Sequence, residues 1–258
     1  MSPRRATRAP PRPAIVCLRV VLVCFGLGAI IWGAYLLPVF WNQATLGSAV
    51  VQIQGGQSFR PEALNALAVS AGQPDERPFC IPVLLRDAAI IKIRESEVAI
   101  ASGERNVIDL RLEAAQAAVR RSLQCAPADP FLWFAEFWLE NNISGLRPRN
   151  FDLLRMSYRL GPNEGWIMLK RNRYAAALYP QLPADLRESA AHEFVRLLNS
   201  DFVTDAAQIF LGPGAAMREV ILGRMGEVSL ARREFFVKLL RGQGYEGTIP
   251  GVEERRPR

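Results

Sequence analysis

Hydrophobicity along this chain changes character once, close to residue 41. From Val20 to Phe40 the sequence reads VVLVCFGLGAIIWGAYLLPVF, 21 residues without a charge. At about 1.5 Å of rise per helical residue such a run crosses a hydrocarbon core of about 30 Å, so it predicts one transmembrane helix. Trp32, Tyr35, Phe40 and Trp41 gather toward its C-terminal end, and Trp41 stands where an interfacial aromatic belongs. Beyond it, apolar residues recur at helical spacing. No stretch alternates apolar and polar residues for long enough to argue for a sheet, so the remainder is expected to be all-α.

Start and stop residues divide that remainder. Ser58 can cap a helix over Pro61–Ala71, ended by Gly72, and Pro82–Ser102 follows and stops at Gly103. Asn106, with Asp109 three positions on, opens a helix to about Gln124. Asp129 caps the next, with Pro130 at the first helical position where a missing N–H costs nothing, and Asn142 ends it. Arg149–Leu160 is closed by Gly161-Pro162, Asn163 caps Glu164–Tyr179, and Pro183 opens a helix to about Leu198. Shorter helices are expected near residues 201–211, 215–224 and 230–241. The resulting organisation is an arginine-rich tail (1–19), a transmembrane helix (20–40), a juxtamembrane segment (41–56), a helical domain (57–241) and a flexible tail (242–258).

Charge sets the direction of the anchor. The chain carries 32 basic and 25 acidic residues, net +7 with a pI near 9.7, but Arg4, Arg5, Arg8, Arg12 and Arg19 all precede the apolar run. The rest is close to neutral. Nothing there forms the concentrated basic stripe that nucleic acid requires, so no nucleic-acid partner is expected. By the positive-inside rule the arginines stay in the cytoplasm and the domain lies across the membrane. A cleaved signal peptide is the alternative, although the apolar run exceeds the usual length and no small-x-small site follows it directly. The preference for Arg over Lys, with many Ala, Gly and Pro, points to a bacterial protein of the inner (cytoplasmic) membrane with a periplasmic or extracytoplasmic domain. Asn142-Ile143-Ser144 is then a chance match to a glycan sequon.

A spacing of 35 residues recurs in the middle of the chain. Ala115, Val119, Ser122 and Pro127 fall at the same offsets as Asn150, Leu154, Ser157 and Pro162, and Trp133 lies six residues after Pro127. Over about residues 109–165 the chain resembles the tetratricopeptide family, whose helix pairs use small residues for close packing and a proline to end the second helix. Glu136, Phe137 and Glu140 stand where that family prefers Leu, Gly and Tyr, and Asn150 replaces a small residue. The resemblance implies a stack of helical hairpins more than a true repeat array, and with it a binding or scaffold surface for partners.

Candidate chemistry is sparse. Cys80 lies just before the helix at Pro82 and Cys125 at the end of the following one; an antiparallel pair would bring them together, so a disulfide is expected in an oxidising space, with two separately buried thiols as the alternative. No metal site or cofactor is expected from one histidine and so few cysteines. His192 has no neighbouring His or Cys and reads as a surface or interhelical residue. Gly242-Gln-Gly244-Tyr-Glu-Gly247 matches GxGxxG but follows a helix and lacks a βαβ context, so its glycines end the last helix and release the tail.

Binding candidates come from aromatic and basic clusters. In Phe131-Leu-Trp-Phe-Ala-Glu-Phe-Trp-Leu-Glu, Trp133 and Phe137 share one helical face and Phe134 and Trp138 another, which suits a helix sandwiched in a stack or an aromatic groove for a peptide or sugar. Lys170, Arg171 and Arg173 follow Trp166 as a basic cluster able to meet an anionic polymer or headgroup, unless they are solvated or salt-bridged. Arg232-Arg233 ahead of Phe235-Phe236 carries the same pair of readings. Glu136 and Glu140, one turn apart, are the acid/base candidates of an alternative reading as an envelope glycan enzyme. The favoured expectation is a non-enzymatic envelope scaffold or protein-interaction protein with a protein partner, a glycan as a second candidate ligand, and a place as accessory to a surface-polymer assembly. Its candidate binding residues are Trp133, Phe137, Trp138, Trp166, Lys170, Arg171 and Arg173.

Overall fold

The structure, a computed structural model, describes residues 12–71 and 80–252; the remainder of the arginine-rich tail (Arg4, Arg5, Arg8) and the last residues of the C-terminal tail lie outside them. The chain falls into two compact units, residues 1–52 and 53–258, and each is described by itself. Every regular element among the described residues is helical.

In the first unit a single helix, α1, spans Arg12–Gln54. Its segment Ile15–Leu37 is long and apolar enough to cross a membrane, with mean hydropathy 2.5 and none of it buried. Phe25 at 77% exposure shows the cost of leaving such a helix in water, since isolated large apolar groups are tolerated but a whole contiguous surface is not. The helix does not break after Trp41. The expected juxtamembrane segment is its helical continuation, because residues 42–54 contain no proline or charged side chain to stop it. The Trp41 side chain lies outside the described residues.

The second unit contains α2 (Pro61–Ala71), α3 (Pro82–Ser102), α4 (Arg105–Cys125), α5 (Pro130–Ser144), α6 (Phe151–Leu160), α7 (Gly165–Ala177), α8 (Ala184–Leu198), α9 (Val203–Leu211), α10 (Arg218–Gly223) and α11 (Leu230–Gly242). Helices α3 and α4 form an antiparallel hairpin around Gly103, whose φ of +80° is one that glycine adopts without strain. The expected bridge closes its open end: Cys80 and Cys125 are disulfide-bonded, with Cα atoms 6.0 Å apart. Midway along, Arg111 pairs with the buried Glu95 at 3.1 Å. Helix α5 packs between α4 and α6, and α7 lies against α8 and the turn around Pro213.

Several boundaries move by a residue or two. Glu104 and Glu164, not Asn106 and Asn163, occupy the N-cap positions of α4 and α7, and neither side chain makes a capping bond. Asp129 behaves as expected, its carboxylate accepting from the Phe131 and Leu132 amides. Helix α5 runs on to Ser144, past Asn142. Pro148–Asn150 forms a separate 3-10 turn before α6, because a proline at its head cannot supply the amide that a longer helix would need.

The C-terminal part is closed by aromatic rings. Phe194, Phe210 and Phe236 are buried with centroids 5.4–6.4 Å apart, and Tyr245 adds an edge contact to Phe210 at 5.4 Å. Gly244 at φ +81° ends α11: its amide donates to the Arg241 carbonyl, and the Tyr245 amide donates to Leu240. The tail is therefore not released at residue 242. Ile249 is buried and Arg233 donates to the Pro250 carbonyl, so residues 245–252 lie against the helices.

Candidate functional site

Helix α5 is apolar nearly all round, and its aromatic side chains have separate fates. Phe137 is fully buried between Phe151 and Tyr174, at centroid distances of 6.4 and 5.8 Å. It belongs to the core and is corrected out of the binding set. Trp133 donates from Nε1 to the Pro127 carbonyl at 2.7 Å and so pins the turn between α4 and α5. Trp166 packs on Phe131 at 4.8 Å and carries the Arg86 guanidinium over its ring at 5.6 Å, while Arg86 is held by Asp129 at 2.7 Å. Trp166 thus supports the start of α5 and does not line the cleft.

Trp138 is different. Together with Phe131, Phe134 and Ala135 it forms one wall of a cleft of about 440 Å³. The opposite wall is α7, through Lys170, Arg173, Tyr174 and Ala177, and α3 adds Ile93 and Glu97, with Pro213 at one end. On α5 and on α7 the contributing residues are spaced i, i+3, i+4 and i+7, which is how a single helical face meets a common space. Phe134 and Tyr174 meet edge to face at 6.2 Å across the floor.

The charges around this cleft are unequal. Glu97 accepts from Arg94 at 2.7 Å and is already compensated. Among the described residues Lys170 and Arg173 form no ion pair, and Arg173 is exposed. The cleft therefore combines an aromatic wall with two uncompensated cations.

Arg171, between them in sequence, faces the other way. Its side chain is fully buried and bonds Glu193, from Nε at 2.9 Å and Nη2 at 2.5 Å, the Ser157 hydroxyl at 2.9 Å and the Gly161 carbonyl at 2.9 Å. Tyr158 places its ring 4.2 Å from the guanidinium. A Cβ at residue 161 would lie 2.6 Å from Pro130, so only glycine lets this turn come close to α5. Burial pushes the Glu193 carboxyl above its ordinary value against the pull of Arg171, and the Tyr158 hydroxyl is driven well up by the same burial. Arg171 is consequently a core residue, not a ligand contact.

Glu136 and Glu140 do not converge on an open space. Arg120 bonds both, at 2.7 and 2.5 Å, and Gln116 donates to both, at 3.4 and 3.1 Å. Burial raises the Glu136 carboxyl, with Arg120 opposing it. His192 lies at the surface in a cluster with Glu188, 2.9 Å away, and Arg224. Among the described residues no group of three or more His, Cys, Asp or Glu side chains could hold a metal ion.

Of the expected binding residues, the fold thus brings Trp138, Lys170 and Arg173 together and sends Trp133, Phe137, Trp166 and Arg171 elsewhere. The helical spacing of Phe131, Phe134 and Trp138 could have flagged that wall, and the same spacing joins Tyr174 to Lys170. Nothing in sequence marked Ile93, Glu97 or Pro213, which arrive from distant elements. Compared with protein-family models, with curated proteins and with solved structures, the chain matches none.

Proposed function

We propose that this protein is a non-enzymatic, single-pass anchor of the bacterial inner membrane whose extracytoplasmic domain, a stack of helical hairpins, binds another envelope protein. The observation that carries the reading is the cleft between α3, α5 and α7, with aromatic side chains on one wall and unpaired cations on the other. Such a combination of apolar anchors and few fixed charges suits recognition. The five arginines ahead of Val20, two of them on the first turns of α1, support a cytoplasmic N-terminus. The disulfide fits an oxidising compartment.

The tetratricopeptide resemblance gains support from burial. Ala115, Val119 and Ser122 on α4 and their counterparts Leu154 and Ser157 on α6 are all fully buried, with Asn150 just ahead of α6 nearly so. Both helices thus use the recurrent positions for close packing. Against an enzyme built on Glu136 and Glu140 stands their clasp by Arg120 and Gln116, which engages one oxygen of each carboxylate, while the other Glu136 oxygen is buried and meets no open space.

Two measurements test this. A photo-crosslinking amino acid at position 138 of the full chain in its native membrane should give a discrete protein adduct, absent when the same group is placed at exposed Leu230. Equal labelling at both positions, or none at 138, ends the assignment of the cleft. A reporter active only after export, fused after Arg258, should be active; activity of a cytoplasmic reporter at that position instead reverses the topology.

A further inference from the structure

The cleft also constrains the chemistry of its occupant, and this inference rests on reading it as a partner-binding site. On its α5 wall the buried Phe131 and Phe134 and the half-buried Trp138 line one space, with the small Ala135 between them. An apolar side chain entering there gains burial without displacing a protein hydrogen bond. Across from it, Lys170 and Arg173 stand one turn apart on α7 and have no counter-ion among the described residues, whereas Glu97 on α3 is neutralised by Arg94. The net uncompensated charge at the rim is positive. Arg173 offers a planar fork that matches a carboxylate, and Lys170 brings a flexible ammonium beside it.

Size narrows the occupant further. A volume of about 440 Å³ sits toward the lower part of the about 300–1,000 Å³ range of ligand-sized cavities, enough for a short segment and not for a long folded element. Two cations are also too few to track a polyanion, whose affinity grows with the number of phosphates or sulfates neutralised. We infer that the cleft between α5 and α7 takes a short acidic segment of a protein partner, one bulky apolar side chain lying against Trp138 and a neighbouring carboxylate held by Arg173 and Lys170. The apolar contact supplies the seat. The charge pair supplies the choice of partner, since like charges placed at the same rim are repelled.

The test uses the full chain in lipid nanodiscs and a displayed library of random dodecapeptides, with empty nanodiscs for subtraction. Enriched peptides should carry a Trp, Phe, Leu or Met with an Asp or Glu within the next turn of chain. Their affinity should fall at least about tenfold for Lys170→Glu/Arg173→Glu and for Trp138→Ala, and the charge-reversed variant should select basic-flanked peptides in their place. Both variants must keep the helical circular dichroism of the parent. Enriched peptides without acidic excess that still need Trp138 would overturn the acidic occupant while sparing the partner-binding cleft. Peptides indifferent to Trp138→Ala, or no enrichment over empty nanodiscs, would overturn both. Displacement of selected peptides by oleate, with position-138 adducts mapping to lipid, would replace the peptide by a lipid acid and overturn the inference.

Discussion

Two regions of the helical domain use the same chemistry, an arginine holding a glutamate, in opposite surroundings. Between α6, α7 and α8, Arg171 and Glu193 are both fully buried and the guanidinium donates to Glu193, Ser157 and Gly161. Between α4 and α5, Arg120 is half exposed while it clasps Glu136 and Glu140. The first arrangement took two charges out of water and is tolerable because the guanidinium keeps four hydrogen bonds, even though the second Glu193 oxygen is buried without a hydrogen-bond partner among the described residues. The second keeps its arginine half in water, where solvent still meets part of the charge. Burial, not residue type, decides how much each pair matters.

The largest effect should come from breaking the buried pair on one side. Arg171→Ala leaves Glu193 without its counter-charge and should lower unfolding stability by about 3–5 kcal/mol, seen in thermal or urea unfolding of the full chain. Replacing both partners with methionine should cost far less, because the desolvation penalty disappears with the charges. Equal losses for the single and double variants would mean that packing, and not charge, holds this region.

The hairpin is expected to depend on its bridge. Closure of the 45-residue separation between the cysteines restricts the unfolded chain by up to about 4 kcal/mol in the entropic picture. Cys80→Ser should therefore reduce the melting temperature under oxidising conditions and have no effect once the parent is reduced. A parent insensitive to reductant would show that α3 and α4 hold together by their packing alone.

A smaller, pH-dependent effect separates buried from exposed carboxylates. Glu136 has a raised carboxyl because burial disfavours its charge, with Arg120 opposing. In the native state it holds its proton more tightly than when unfolded, so its contribution is full below its ordinary value of 4.5 and is lost as pH rises through the raised value. Asp185 is lowered, chiefly by its hydrogen bond from Arg155, and contributes in the opposite sense: present above its ordinary 3.8 and lost as pH falls through the lowered value. Glu136→Gln should flatten the decline in melting temperature above pH 4.5 relative to the parent. A steeper decline in the variant would invert the assignment.

The smallest effect is expected at the surface. Arg155 meets Asp152 and Asp185 within hydrogen-bonding distance, but all three are substantially exposed and screened. Arg155→Ala should cost no more than about 0.5 kcal/mol, and less in high salt. A loss comparable to that of Arg171→Ala would abolish the contrast between the two environments.

Much of the scaffold is legible in the sequence. Capping and stop residues such as Asp129-Pro130, Gly103 and Gly161-Pro162 act within a few residues of themselves, so the helices they delimit could be placed almost to the residue. At α4 and α7 no side chain caps the first turn, so the boundaries fall at Glu104 and Glu164 and the nearby Asn106 and Asn163 do not set them. The disulfide was legible because chain order alone determines which ends of a hairpin meet. The packing of residues 245–252 was not legible, since the ring contact of Tyr245 and the burial of Ile249 depend on α9 and α11 being packed already.

The site shows where that legibility stops. By itself the sequence determined an apolar helix of membrane-spanning length, an all-helical domain behind it, the cysteine pair and a local excess of positive charge at residues 170–173. Only the tertiary structure decided that Arg171 is locked in the core while Lys170 and Arg173 face a cleft shared with Trp138. Successive residues on a helix are turned by about 100° from one another, so adjacent, chemically alike side chains enter different surroundings. Which of those surroundings is protein and which is open space depends on α3, α5 and α8, elements whose positions are set by packing over distances that no local pattern records.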